Sequence, residues 1–323
     1  MTIKLERVNQ MKSKFNIVLG FVILMVVIAV QESSAQQDPL YTQYSFNTQV
    51  INPAYAGTWD NLGFTVLGRH QWVGMGGAPK TYSLMMQTPT KFKNAALGLN
   101  IISDKIGLEK RLALFGDYSY KLYLSEEVFM NMGLKFGVTS YSNNLNEYTG
   151  YPGDPQDPMF QGEIDVKLMP NFGVGTFIYG EKFYVGMSVP KILQNEIRNN
   201  YNNYDSSPEI RHFFLMGGYV FDLSSDIKFK PTMLTKATIG APVSVDLSAN
   251  FLLKEKFWLG AQFRTGDSFG LTAQWIFDNQ LRVGYGIDFT YTKLQHYHNG
   301  THEIMVSYEL EKVKNMLKSP RLF

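Results

Sequence analysis

The chain has 323 residues, no cysteine and 14% aromatic residues, among them 19 Tyr and 23 Phe. The absence of cysteine excludes a disulfide framework, a lipidated N-terminal cysteine and thiolate metal sites. Hydrophobic residues make up 45% of the chain, yet the mean hydropathy of −0.15 is far below that of a helical membrane protein. A membrane-spanning barrel is compatible with both values, because only alternate residues of its strands face lipid. The length fits one large β domain or two domains of average size.

The first 35 residues have the three parts of a signal peptide. Four basic residues within 4–14 precede the apolar run 15–30, and small residues lead to a cleavage site after Ala35. We therefore expect an exported protein whose synthesis starts at Met1 or Met11. An uncleaved N-terminal membrane anchor is the alternative, for which the apolar run is short.

Loss of residues 1–35 would remove four basic and two acidic residues. The remaining chain would hold 26 residues of each sign and a net charge of zero. Such a balance gives no indication of a nucleic-acid partner.

Residues 36–61 come before the first predicted strand, and we expect them to be irregular. Asn52-Pro53 is a turn signal, and Gly57 can adopt a positive φ. One interpretation is a plug inside the barrel, packed by its aromatic side chains. The other is a periplasmic docking strand. The aromatic residues of this segment are Tyr41, Tyr44, Phe46 and Tyr55.

Segments of about ten residues with period-two alternation dominate the chain after residue 60. In 128–139 the even positions are apolar, whereas Asn131, Lys135 and Thr139 occupy the other face. In 281–291 the odd positions are aliphatic or aromatic, and their neighbours are small or charged. A soluble β-sandwich also alternates, but its solvent faces carry more charge and less glycine. The pattern therefore favours a transmembrane antiparallel β-barrel.

Fourteen such segments can be counted, an even number that leaves a closed barrel without an edge strand. The predicted strands lie near 62–71, 80–88, 94–103, 110–123, 127–140, 168–179, 182–189, 210–221, 226–236, 242–253, 256–265, 268–277, 280–292 and 302–310. The resulting division is a signal peptide (1–35), a periplasmic or plug segment (36–61), the barrel (62–310) and a basic C-terminal tail (311–323).

The lengths of the connections agree with this count. Connections after even strands are short, and both long ones, 141–167 and 190–209, follow odd strands. If the first strand starts in the periplasm, the long connections are extracellular, as in outer-membrane barrels. We expect the lumen carboxylates Asp246 and Asp288 to pair with Arg264, Arg282 or Lys135.

The extracellular connections contain the candidate partner-binding residues. Trp72 precedes three glycines and is either a girdle aromatic or a contact for another protein. Connection 141–167 is aromatic-rich and stiffened by proline, and 190–209 is rich in Asn and Tyr, both suited to contact surfaces. The candidate residues are Trp72, Tyr148, Tyr151, Phe160, Tyr201 and Tyr204.

Chemistry-bearing motifs are scarce. His296, His298 and His302 could meet around a hairpin as a metal site, but solvated histidines are the simpler interpretation. No Gly-x-Ser-x-Gly, His-Glu-x-x-His or P-loop motif is present. We expect no enzyme activity, no cofactor and no metal, although a surface hydrolase with a Ser/His pair across strands stays a weaker alternative.

Four stretches resemble the PorP/SprF family of the type IX secretion system in order and spacing. They are Tyr-Thr-Gln-Tyr at 41–44 continuing to Ile-Asn-Pro-Ala-Tyr-Ala-Gly at 51–57, Arg-His-Gln-Trp-Val-Gly at 69–74 with Gly-Ala-Pro-Lys-Thr at 77–81, the stretch 98–120, and Ser-Pro-Arg-Leu-Phe at 319–323. Leu322 departs from the pattern, where an aromatic residue is more usual. The motif residues are Asn52, Pro53, Tyr55, Gly57, Arg69, Gln71, Trp72, Gly74, Pro79, Asp104, Lys105, Gly107, Asp117 and Tyr118.

The resemblance implies a FadL-like or porin-like barrel in the bacterial outer membrane, embedded in outer-membrane lipids. It also implies a role in protein secretion and gliding motility. Such a protein would dock with periplasmic ring lipoproteins or anchor a secreted type IX cargo protein at the cell surface through the C-terminal domain of the cargo. The alternative is an outer-membrane channel or transporter for a small or hydrophobic solute.

Overall fold

Antiparallel strands make up most of the computed structural model, which describes residues 40–144, 163–195, 197–198, 205–206, 209–277 and 280–310. Within these ranges the barrel strands are β1 (Gly63–His70), β2 (Lys80–Pro89), β3 (Ala95–Ile106), β4 (Glu109–Tyr123), β5 (Phe129–Asn144), β6 (Glu163–Tyr179), β7 (Phe183–Val189), β8 (His212–Tyr219), β9 (Ile227–Thr238), β10 (Ser244–Leu253), β11 (Phe257–Arg264), β12 (Ser268–Phe277), β13 (Leu281–Thr290) and β14 (Thr301–Glu309). The predicted signal peptide, the basic tail and most of both long connections lie outside the described residues.

The sheet closes on itself. Each strand pairs with the next one along the chain, and β1 pairs with β14 from Gly63 opposite Glu309 to His70 opposite His302. In a closed sheet both edges of every strand are hydrogen-bonded to a neighbour, so no edge presents unpaired backbone groups to the lipid. The fourteen-stranded antiparallel barrel predicted from the alternation is therefore confirmed for the described residues.

The two ends of the barrel differ. Turns after the even strands span seven residues or fewer, as in 90–94 and 220–226, whereas the long connections after β5 and β7 lie at the opposite end. Outer-membrane barrels place short turns in the periplasm and long loops outside. The end containing His70 is called the outer end below, and the end containing Gly63 the inner end.

The outward face is an apolar band bordered by aromatic rings. At the inner end the rings run from Tyr219 and Phe221 to Phe229 and Phe251, with neighbouring centroids 4.6–6.2 Å apart. Phe263, Phe269 and Tyr291 form a second group at the outer end. Phe269 and Phe277 are eight residues apart on β12. At about 3.3 Å per residue and a tilt of about 40°, they differ in height by about 20 Å, close to the apolar band of membrane barrels.

Residues 40–61 lie inside the barrel and form what is called the plug below. The plug contains three short 3-10 helices, Tyr44–Phe46, Thr48–Val50 and Pro53–Tyr55. It runs from the outer end, where Thr42 contacts Glu303, to the inner end, where Asn61 donates to Glu309. Of the two interpretations of this segment, the structure shows the one inside the lumen. No helix in the described part of the chain has the length and apolar character of a membrane span.

Glycines on the lumen face of the wall create the space for the plug. A Cβ at Gly133 would lie 2.2 Å from the backbone nitrogen of Ala54, and one at Gly175 would lie 2.2 Å from Asn52 Oδ1. A Cβ at Gly98 would lie 2.3 Å from Gln49 Nε2. Gly133 is therefore required by the close approach of the two backbones, whereas Gly175 and Gly98 leave room for polar side chains of the plug.

Two neighbouring strands extend four and five residues past their predicted outer ends. β5 continues to Asn144 and β6 begins at Glu163, and the pairing register shifts between Thr139 and Tyr141. The shift is a β-bulge with the extra residue in β6, where it interrupts the period-two pattern. The extension beyond the bulge has its own small apolar cluster of Tyr141, Ile164 and Met169.

We predict that Gly133→Ala destabilises the barrel by about 1–3 kcal/mol, because the added methyl group collides with the backbone of the plug. Gly116→Ala on the adjacent strand is the matched control. A Cβ there meets nothing closer than 4.0 Å, so its effect should stay within about 0.5 kcal/mol. Urea unfolding followed by the gel mobility of the folded barrel measures both, and equal effects would contradict a filled lumen.

Candidate functional site

A buried charge cluster holds the outer end of the plug. Arg69 Nη1 lies 2.6 Å from Glu303 Oε1 and 3.1 Å from Asp288 Oδ2. Glu303 also accepts the backbone N–H groups of Thr42 at 2.6 Å and Gln43 at 3.0 Å. The Thr42 hydroxyl lies 2.8 Å from Arg69 Nη1 and donates to Asp288 Oδ2 at 2.7 Å. One guanidinium therefore faces two carboxylates, and the plug supplies the remaining donors.

A second cluster lies against the middle of the plug. Lys135 Nζ is 3.0 Å from Asp117 Oδ1, and Gln49 Nε2 donates to Asp117 Oδ2 at 2.9 Å. Asn100 also donates to this carboxylate. Gln49 further donates to the carbonyl oxygen of Met86 at 3.0 Å. Because charged side chains away from water need paired partners, this cluster fixes the plug against β2–β5.

The opposite wall contributes two more contacts to the plug. Arg264 pairs with Asp246 at 2.9 Å and reaches the carbonyl oxygen of Tyr41 at 3.4 Å. The Lys230 ammonium lies 4.6 Å from the ring centroid of Phe46 in the plug and 4.7 Å from that of Trp258 in the wall. A cation between two aromatic faces favours both contacts.

The Asn52–Gly57 motif forms the inner part of the plug. Asn52 Oδ1 accepts the N–H of Ala54 at 3.0 Å and caps the 3-10 turn, while its Nδ2 donates to the carbonyl oxygen of Thr176 at 3.0 Å. Tyr55 packs edge-on against Phe177, with centroids 5.5 Å apart. Gly57 has φ +82° and donates to Gln87 Oε1 at 2.8 Å. The motif therefore binds plug to wall, which is a structural role.

The Trp72–Gly77 connection braces the outer mouth. Gly77 accepts the N–H of Gly107 at 2.8 Å on one side, and Val73 donates to Gly300 at 2.9 Å on the other. Trp72 has φ +50°, and its ring lies 6.3 Å from that of His298. The connection thus ties the β3–β4 turn to the β13–β14 loop.

A cavity of about 430 Å³ lies at the outer end between plug and wall. Val50, Ile51 and Tyr41 of the plug line it on one side, and Ala113 and Phe115 line the wall. Charged side chains also border it, namely Asp104, Glu109, Arg111, Lys135 and Lys191. A mostly apolar cavity with a few polar groups is typical of a binding site for a ligand or a protruding side chain.

The structure brings most motif residues together along one side of the barrel. Gln71 donates its N–H to Pro79 at 3.0 Å, and Asp104 accepts a hydrogen bond from Thr81 at 2.5 Å. Gly74 lies in the mouth connection, where its Cβ would meet Asn299. Lys105 and Tyr118 instead face outward, away from the plug. Among the candidate partner-binding residues only Trp72 is described; Tyr148, Tyr151, Phe160, Tyr201 and Tyr204 lie outside the described residues.

The three histidines do not share a site. His298 Nδ1 accepts the N–H of Gly300 at 2.9 Å, whereas His302 faces outward beside Tyr285, 2.5 Å from its hydroxyl. His296 lies in a 3-10 turn, Lys293–His296. No group of three or more potential metal ligands occurs within the part of the chain that the structure describes.

We predict that Arg69→Met lowers the free energy of unfolding by about 3–5 kcal/mol, because it leaves Asp288 and Glu303 unpaired in the lumen. Arg111→Met is the matched control. Its ion pair with Glu109 is longer, at 3.7 Å, and partly exposed, so about 1 kcal/mol or less is expected. The same urea titration measures both variants. If Arg69→Met lowers the free energy of unfolding no more than the control does, the Arg69 cluster does not stabilise the barrel as we describe.

Comparison with known proteins gives a family for the chain. Residues 33–308 match the family model described as type IX secretion system membrane protein PorP/SprF. No curated protein matches the chain.

Several solved barrels are similar in fold. Omp33 of Acinetobacter baumannii is 10% identical over 77% of this chain and 99% of its own, with a TM-score of 0.45. A FadL homologue of Pseudomonas aeruginosa is 10% identical over 86% of this chain and 96% of its own, with a TM-score of 0.46. These likenesses concern the fold alone. Because the matched model spans most of the sequence, the chain belongs to the PorP/SprF family of type IX secretion system membrane proteins.

Proposed function

We propose that this protein is a non-conducting barrel that anchors a secreted type IX cargo protein at the cell surface through the C-terminal domain of the cargo. Docking with periplasmic ring lipoproteins at the inner end is part of the same proposal. The observation that carries it is the plug. Contacts fix it at the outer end, in the middle and at the inner end, through Arg69, Asp117 and Asn52.

A filled lumen suits an anchor better than a channel. Transport would require the plug to leave, which would remove its hydrogen-bond donors from Glu303, Asp288 and Asp117, while the cationic partners of these carboxylates stay on the wall. A hydrogen bond to a charged group contributes about 1.5–3 kcal/mol. A lumen filled through hydrogen bonds and ion pairs is compatible with a protein whose contacts with its partners are made at the two ends of the barrel.

The outer cavity is the proposed cargo seat within the described residues. Its volume of about 430 Å³ lies in the range of binding cavities and can hold one or two large apolar side chains. The charged side chains around it can orient an extended segment. Trp72, Tyr148, Tyr151, Phe160, Tyr201 and Tyr204 belong to the connections at the same end and are proposed as further contacts. We propose no catalytic role.

The same cavity supports the second candidate function, a site for a small hydrophobic solute. A solute site predicts uptake or ion flux through the intact protein, whereas an anchor predicts neither. Planar bilayers therefore separate the two functions. We expect no ion conductance from the wild type. A variant lacking residues 42–56 should conduct, because the deletion removes most of the plug and leaves the strands of the wall intact. A wild type that conducts as well as the deletion would contradict the anchor.

Cargo binding is tested by capture from solubilised outer membranes. We predict that the tagged wild type recovers a secreted protein with a type IX C-terminal domain, and that Ala113→Trp, which fills the cavity, recovers at least about tenfold less. Ala237→Trp is the matched control, because Ala237 lies opposite the exposed Phe213 on the outward face. Equal recovery by both variants would exclude the cavity as the cargo seat, and capture of no cargo by the wild type would refute the anchor.

A further inference from the structure

Three lysines form a continuous row on the outward face of the barrel at its outer end. Lys80 on β2 is the direct register partner of Lys105 on β3, and Lys105 is the direct partner of Lys110 on β4. Directly opposed residues of antiparallel strands point to the same face. All three side chains are exposed.

Two histidines continue the row. Lys80 is paired with His70 on β1, and His70 is paired with His302 on β14. Five adjacent strands therefore present a basic side chain along one line of register partners. Such a pattern is invisible in the sequence, because the five positions are scattered from 70 to 302.

The row lies where the apolar band ends. On the same face of β4, Leu112 and Leu114 follow Lys110, and Tyr118 and Tyr120 mark the inner border. Lys110 and Tyr118 are eight residues apart, which corresponds to a height difference of about 20 Å at the usual rise and tilt. The ammonium groups are therefore level with the head groups of the outer leaflet, and their methylene stems can lie along the apolar band.

The lysines of the row have no counter-charge among the residues that the structure describes. None of the three makes an ion pair with another described residue. The first outward carboxylate along the row is Asp165, two strands beyond Lys110. Like charges directly opposite each other on a sheet repel and destabilise it. An anion bound between the lysines would offset this repulsion.

The row is confined to one side of the barrel. At the outer ends of β8–β13 most outward residues are apolar or aromatic, such as Phe213, Ile239, Val243, Phe263 and Phe289. The two charged residues described there are engaged, Arg211 with the carbonyl oxygen of Ile192 and Asp267 with Arg264. A general affinity for the membrane surface would place basic residues all around the barrel. Their restriction to β1–β4 and β14 indicates a ligand that binds at this side.

We propose that Lys80, Lys105 and Lys110 form a binding site for the phosphate groups of an outer-leaflet glycolipid. Lysine is a point-charge ligand for phosphate, and clusters of basic residues at a membrane interface recognise phosphorylated head groups. The acyl chains of the same lipid cover the apolar surface below the row. The site is separate from the plug and from the outer cavity, so its test is independent of cargo anchoring.

The test uses protein refolded without lipid and titrated with diphosphorylated lipid A in detergent, with binding read by native mass spectrometry. The probes for comparison are dephosphorylated lipid A and inorganic phosphate. We expect the triple variant Lys80→Gln, Lys105→Gln, Lys110→Gln to bind diphosphorylated lipid A about 100-fold more weakly than the wild type. Dephosphorylated lipid A should bind the wild type as weakly as it binds the variant.

A second triple variant provides the control. Lys91→Gln, Lys93→Gln, Lys256→Gln removes the same charge from exposed turns at the inner end, and it should bind lipid A like the wild type. Gel mobility of the folded barrel verifies that both variants fold. Equal binding of lipid A by the two triple variants would overturn the proposal. Binding of inorganic phosphate by a wild type that does not bind lipid A would also overturn it. Lipid binding unchanged while capture of an acidic protein is lost would assign the row to a protein partner instead.

Discussion

Arg69 and the two carboxylates it faces, Asp288 and Glu303, set the constraint on which the rest of the structure depends. Three charges from three adjacent strands meet in the lumen, and the backbone and hydroxyl of the plug donate further hydrogen bonds to both carboxylates. Such groups are costly when partly satisfied and rigidifying when fully satisfied. The cluster therefore fixes the outer end of the plug to the wall, and lumen glycines such as Gly133 leave room for the plug to approach the wall closely.

Much of this fold can be predicted from the sequence, because the physics of a membrane barrel is local. Alternation along β5 and β13 separates an apolar outward face from a polar lumen, and the parity of the short turns orients the barrel. The motif at Asn52–Gly57 indicates a turn, but not the lumen wall against which it packs. The pairing of Asp246 with Arg264 is as predicted.

Long-range register is what the sequence does not contain. The partner of Asp288 is Arg69, 219 residues away, and not one of the three cations expected for it. The bulge in β6 opposite Thr139 and Tyr141 shifts the pairing register of the two strands by one residue. Lys105, expected only as a motif residue, faces outward in a row with Lys80 and Lys110 that emerges when β2, β3 and β4 are paired. Function follows the same division: the family could be predicted from the motifs, whereas the filled lumen required the structure.

The most direct test of the account is a disulfide between plug and wall. The chain has no cysteine, and a Cβ at Gly286 on β13 would lie 3.6 Å from Gln43 Cγ of the plug with no closer neighbour, so cysteines at 43 and 286 are within bonding range. We expect Gln43→Cys with Gly286→Cys to form this disulfide in the outer membrane, detected by mass spectrometry as a linked pair of tryptic peptides. Folded double-variant barrels that keep both thiols free after oxidation would place the plug elsewhere and contradict the account.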